Sequence, residues 1–199
     1  VITRAEFQEI IKLEGEVRGS TLKTDAAFIQ SQEGKEGLHR VEAAFQQLGY
    51  PLEYKKINEM GWYPICMRVL SLRIIQDTFN LNEADLRSMG DMAPKFSFTV
   101  KVFLRFTGKP KIGLKHVPRY WRLHYSIGEA HASEINEEAG YFRVQLRDFK
   151  VHPILCRYFE GYFRRLSQFS FVEEEVQSKE TKCVFNGDPY HEYRITWKK

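Results

Sequence analysis

The character of the chain changes near Gly128, and that change limits the folds open to it. Upstream, Leu38, Val41, Ala44, Phe45 and Leu48 recur at helical spacing. Downstream, Phe142, Val144 and Leu146 alternate with Arg143, Gln145 and Arg147, the period of a strand with one buried face. Helices first and strands later point to an α+β domain. At 199 residues the chain is long enough for one substantial core, and no linker or repeat divides it, so it reads as a single domain over residues 1–199.

Helices are expected over residues 4–13, 24–32 and 36–48, with an extended break at 15–19. Gly61–Phe79 reads as a largely buried helix, because apolar residues occur on most of its sides and Pro64 suits its first turn. Asn82 is the expected cap of a helix over 82–89, with Asp85 three residues on. Residues 96–106 satisfy two periods: Phe96, Phe98, Val100, Val102, Leu104 and Phe106 alternate, whereas Phe96, Val100, Phe103 and Leu104 make a helical face. A helix over 118–127 ends at Gly128, strands follow at 129–138 and 141–149, then a helix at 152–168 and strands at 169–182 and 190–197. The expected architecture is a helix-rich N-terminal two-thirds packed on an antiparallel sheet of about four strands.

Composition narrows the function. Hydrophobic residues make up 43% and charged residues 28%, which is globular. No apolar run approaches the roughly 18–20 residues of a membrane span, and the charged start VITRAEF is not a secretory signal. Three cysteines, an odd and low count, argue for a reducing compartment, so the expected location is cytoplasmic. The sequence has no Gly-rich phosphate loop, Gly-x-Ser-x-Gly elbow or His-Glu-x-x-His motif, and a non-enzymatic role is expected. Net charge is +4, yet Ala93–Gly128 contains no acidic residue and holds Lys95, Lys101, Arg105, Lys109, Lys111, Lys115, Arg119 and Arg122. Lys115, Arg119 and Arg122 share a helical face. With Lys109 and Lys111, that face suits an acidic partner or an anionic membrane; a solvated face is the plainer reading, and nucleic acid is not the expected partner.

The stretch ETKCVFNGDPYHEYRITW, residues 180–197, reads as a strand, a Gly187-Asp188-Pro189 turn and a second strand, with Cys183 and His191 flanking the turn. Thiolate, imidazole and carboxylate are all zinc ligands. Cys183 and His191 can face each other across the turn, Glu180 lies three residues before Cys183, and Cys156 comes from the preceding helix. An odd separation puts Glu180 and Cys183 on opposite faces of a regular strand, so the set requires a bulge or an irregular strand end. The competing reading makes Cys156 and Cys183 core thiols and His191 a surface turn residue.

The same residues carry a resemblance. HPILCRYFEGYFRRL, EEEVQSKETKC and NGDPYHEY resemble the V4R (4-vinyl reductase) domain, part of a wider Bet3-like fold shared by nitric-oxide-signalling and Golgi-transport proteins. The matching positions are Cys156 and Gly161, Glu180 and Cys183, and Gly187, Asp188 and His191, with His191 where the family has Cys. Gly19 and the run Trp62, Tyr63, Pro64 fit more loosely. The resemblance implies a helix over 96–106, a bacterial sensor or carrier of small apolar molecules, a homodimer or a partner signalling domain, and a structural zinc on Cys156, Glu180, Cys183 and His191. A ligand pocket is expected between the central helices and the sheet, lined by Trp62, Phe103, Trp121, Tyr125, Phe142 and Tyr158. Two alternatives stand beside it. One is a Bet3-like interaction scaffold acting through the basic face at 95–122, with Cys66 as a lipid-attachment point or, more plainly, a packing thiol. The other is a haem-binding gas sensor with His116 or His124 as axial ligand; lone histidines are more often structural, and haem is ranked well below zinc.

Overall fold

The computed structural model describes residues 2–97, 114–171 and 175–198. Helix α1 (Arg4–Ile10) starts at Thr3, whose side chain accepts from the Glu6 amide. Strand β1 (Glu16–Arg18) is the extended break expected at 15–19, and it pairs antiparallel with β2 (Trp62–Pro64). Between them runs α2 (Gly19–Gln47), bent at Gly34, where the two predicted helices meet. Helix α3 (Ile65–Phe79) is buried along Ile65, Val69, Leu70, Leu72 and Ile75, as its all-round apolar pattern requires. Helix α4 (Glu83–Phe96) opens with the expected cap: Asn82 accepts from the Ala84 and Asp85 amides while Asp85 reaches back to the Asn82 amide. It runs seven residues past its expected end at Met89. The question of strand or helix at 96–106 falls almost entirely outside the described residues.

After α5 (Val117–Arg122) the chain turns to strands. β3 (Glu129–Asn136), β4 (Tyr141–Arg147), β5 (Val176–Lys182) and β6 (His191–Trp197) form one antiparallel sheet in the order β3-β4-β6-β5. Phe142, Val144 and Leu146 of β4 and Tyr193 and Ile195 of β6 face the core. The α+β architecture with a four-stranded antiparallel sheet stands as expected. Helix α6 (Ile154–Phe171) lies across that face and also packs on α4. The α4–α6 crossing is tight because glycines meet there: a methyl on Gly90 would overlap the Tyr158 carbonyl, and one on Gly161 the Arg87 carbonyl. No helix among the described residues is long and apolar enough to cross a membrane.

Candidate functional site

Two places gather chemistry. The first is the hairpin end of the sheet. β5 departs from regular pairing between Glu180 and Lys182, and Cys183 already lies beyond the strand, ahead of a 3-10 turn at Val184–Asn186. This is the irregularity that the odd Glu180–Cys183 separation requires, and it brings Cys156, Glu180, Cys183 and His191 together, with ligand atoms all within 4.8 Å of one another. Cys156 Sγ lies 3.7 Å from Cys183 Sγ and 3.9 Å from His191 Nδ1. The groups also satisfy one another. His191 Nδ1 sits 2.9 Å from Glu180 Oε1, and its Nε2 sits 3.1 Å from the Phe149 carbonyl. Burial works to raise the Glu180 carboxyl, but the hydrogen bond and charge of His191 more than offset it, so Glu180 titrates below the ordinary carboxylate range. Burial pushes the Cys156 thiol strongly up, with the Glu180 charge adding to it. Asp188 accepts from the Cys183 amide at 2.8 Å and closes the turn.

The second place is a cavity of about 80 Å³ between the start of α2, the end of α4, α5, α6 and the sheet. Trp121, Tyr125, Phe142 and Tyr158 line it, together with Phe159 and Phe163. Trp62 does not. It is exposed and lies under the Arg18 guanidinium, 3.8 Å from the ring centroid. Phe103 is outside the described residues, as are Lys109 and Lys111; Lys115, Arg119 and Arg122 are exposed. Cys66 is buried beside the Tyr50 hydroxyl, 3.4 Å away, which is packing. His116, at the start of α5, is not in the cavity wall, whereas His124 is. His124 is 6% exposed, and its Nδ1 lies 3.1 Å from the Tyr120 carbonyl. Burial lowers its pKa to about 4, aided by the Arg18 charge and opposed by that hydrogen bond. The ring is therefore neutral at pH 7, with its proton on Nδ1 and its lone pair on Nε2. Tyr120 and Tyr162 hydrogen-bond to each other through their hydroxyls at the wall.

The polar residue that sequence reasoning missed is Ser20. It lines the cavity, is 5% exposed, and its Oγ has no hydrogen-bond partner among the described residues. Nothing in the local sequence marks it. Its place follows from β1 delivering the first turn of α2 to the cavity. Behind the wall lies a buried ion pair, Arg68 with Asp25, with the guanidinium 4.5 Å from the Tyr158 ring centroid.

No family model and no curated protein matches this sequence. Solved structures do match in shape. An H-NOX protein from S. oneidensis in the Fe(II)NO ligation state superposes with a TM-score of 0.69 at 10% identity, over 92% of this chain and 99% of that one. An oxygen-binding H-NOX domain related to soluble guanylate cyclases gives 0.62 at 15% identity, over 92% and 95%. An Fe(II) unliganded H-NOX protein from K. algicida gives 0.64 at 9% identity, over 92% and 97%.

The chain has the H-NOX fold. This corrects the V4R and Bet3-like resemblance. The matched positions answer local needs that any helix packed on a hairpin shares: Gly161 permits the α4 crossing, Gly187 takes a left-handed φ of 93°, and Asp188 caps the turn. The structural zinc, read from the ligand types and implied by that resemblance, is corrected as well, because the matching structures are H-NOX proteins. The four residues do converge, but as a hydrogen-bonded group whose donors and acceptors already answer one another. The low rank given to haem is corrected too, because the matching structures include an H-NOX protein in an Fe(II)NO state and one solved to probe haem distortion in the H-NOX family.

Proposed function

We propose that this chain is a non-enzymatic ligand-sensing domain whose aromatic cavity holds haem against His124. The observation that carries the reading is His124 itself: buried in the cavity wall, neutral, and oriented by a carbonyl on its other nitrogen. That is the arrangement by which proteins present an imidazole to a metal. The likeness to haem-bearing H-NOX structures supports the group, and the lack of any motif for catalysis agrees with a sensor. Haem, when bound, supplies an iron centre that takes small diatomic ligands. The chain's own part is separable. Trp121, Tyr125 and Phe159 exclude water from the site. Tyr120 fixes the His124 tautomer. Helix α6 carries both Phe159 of the cavity and Cys156 of the hairpin cluster, so a change at the wall has a rigid route to the sheet end.

The test is titration of the purified protein with haemin, followed by absorbance. A stoichiometric complex with a ligated-haem spectrum, lost in His124→Ala and restored to His124→Gly by imidazole, is the expected result. No haemin binding, or a spectrum indifferent to His124, overturns it. A second reading has its own support. The cavity's 80 Å³ is far below the roughly 300–1,000 Å³ of drug-sized sites, and no Lys or Arg lines it among the described residues. Both facts favour a small, largely apolar molecule bound directly by the same walls.

A further inference from the structure

The glycine crossing of α4 and α6 sets charged side chains of both helices around a cleft of about 220 Å³ that also reaches β5. This cleft shares no lining residue with the aromatic cavity. Arg87, Ser88 and Asp91 come to it from α4, Glu160 and Arg164 from α6, and Ser178 from β5. Both carboxylates are buried, and each is already held by two guanidinium groups. Asp91 Oδ1 accepts from Arg164, and its Oδ2 accepts from Arg165 Nε at 3.0 Å and Nη2 at 2.6 Å. Glu160 Oε2 accepts from Arg87, and its Oε1 accepts from Arg157 Nη1 at 2.9 Å and from the Glu180 amide at 2.9 Å. Every oxygen of the two carboxylates has a donor.

The donors are in excess. Arg157 and Arg165 stand outside the cleft wall and balance Glu160 and Asp91 in charge, so Arg87 and Arg164 leave the wall net positive. The other carboxylates nearby do not cancel that charge. Glu83 is 67% exposed and lies 3.3 Å from Arg157 and 3.5 Å from Arg87, where solvent screens it. Glu180 is 3.9 Å from Arg157 and is engaged by His191 at 2.9 Å. Among the described residues, Arg164 engages Asp91 through Nη2, which leaves Nε and Nη1 to meet another acceptor. Ser178 Oγ is buried and has no hydrogen-bond partner among the described residues. A buried hydroxyl without a partner is costly, and an acceptor seated beside it removes the cost. Two guanidinium groups and a hydroxyl, set among carboxylates that are already filled, match a ligand with several anionic oxygens. We propose that this cleft is an anion site that takes a phosphate group, as the free ion or as the head of a phosphomonoester. The planar guanidinium fork suits phosphate oxygens. Phosphate bound there ties α4, α6 and β5 together at their crossing.

Calorimetric titration of the full chain with sodium phosphate and with methyl phosphate, each against sodium chloride at matched ionic strength, tests the site. Saturable binding of about one phosphate group per chain is expected, with none for chloride. Arg164→Gln is expected to weaken that binding about tenfold, the scale of one charge-assisted hydrogen bond. Arg165 still holds Asp91 in this variant, so the helix crossing keeps its buried ion pair. Should Arg164→Gln fail to fold, Ser178→Ala carries the same test, because it removes a hydroxyl that has no partner among the described residues. Tighter binding of free phosphate assigns the cleft to the inorganic ion, and equal or tighter binding of methyl phosphate assigns it to a phosphomonoester. No saturable binding of either compound, or a signal that chloride reproduces, overturns the site; this comparison needs no variant. Phosphate binding that Arg164→Gln leaves unchanged also overturns it, by placing the ion elsewhere.

Discussion

The hairpin cluster draws on the first turn of α6 and the aromatic cavity on the turns that follow, and the two differ in what their polar groups do. At the hairpin, His191 answers Glu180 and the Phe149 carbonyl, and Asp188 answers the Cys183 amide. In the cavity wall, the Ser20 hydroxyl has no partner and the His124 lone pair faces no donor in the hydrogen bonds of the described residues. A group that completes itself contributes to stability, whereas one left incomplete is prepared for something that arrives later. By this measure the residues that looked most functional in the sequence serve stability, and the proposed site lies in a wall with little sequence signature.

The largest expected effect tests the self-sufficient end. His191→Ala removes the nearest of the partners of a buried carboxylate, leaving the Tyr193 hydroxyl at 3.4 Å and Arg157 at 3.9 Å, and destabilisation of about 3 kcal/mol is expected by denaturant unfolding. A loss below about 1 kcal/mol would mean that the cluster is not a lock. Next comes pH. The His124 pKa is depressed in the folded state to about 4 from 6.5. Stability from keeping it neutral is therefore complete above about pH 6.5 and declines as pH falls toward 4, by up to about 3 kcal/mol. His124→Gln is expected to flatten that decline, and an unchanged slope would remove His124 as its source. Glu180, also depressed, contributes a separate loss at lower pH, as its carboxylate protonates. A smaller effect strikes both regions together. Gly161→Ala forces α6 away from α4, with a cost of about 1–3 kcal/mol and a lower haemin affinity, both measurable on one preparation. If stability falls while the cavity binds as before, α6 does not couple the two ends. The smallest effect is the most pointed. Ser20→Ala in the absence of ligand is expected to change stability by no more than about 0.5 kcal/mol, or to raise it, because an unsatisfied hydroxyl is removed. A clear loss would show that Ser20 has a structural partner and would blunt the contrast.

Much of the fold was legible because it rests on local signals. The Asn82–Asp85 cap, the break before Gly19, the separation of helices near Gly34 and the alternation in β4 each depend on residues within a few positions of one another. The hairpin cluster was legible too, down to the strand irregularity it needs. The family drawn from it was wrong, since Gly161, Gly187 and Asp188 meet local demands common to many folds. Trp62 illustrates the other failure. Its aromatic ring suggested a pocket wall, but β2 is short and exposed, and the ring covers Arg18 instead.

What the sequence determined by itself was the order of elements, the period of each, and the set of side chains able to act as donors and ligands. Tertiary structure alone decided which of those groups lose their partners. Ser20 and His124 are 104 positions apart, and they share one cavity only because β1 pairs with β2 and lies beside the turn after α5, through Arg18 N to the His124 carbonyl at 2.8 Å. Satisfaction of a buried polar group depends on everything packed around it, and a chain read along its length does not contain that neighbourhood until it has folded.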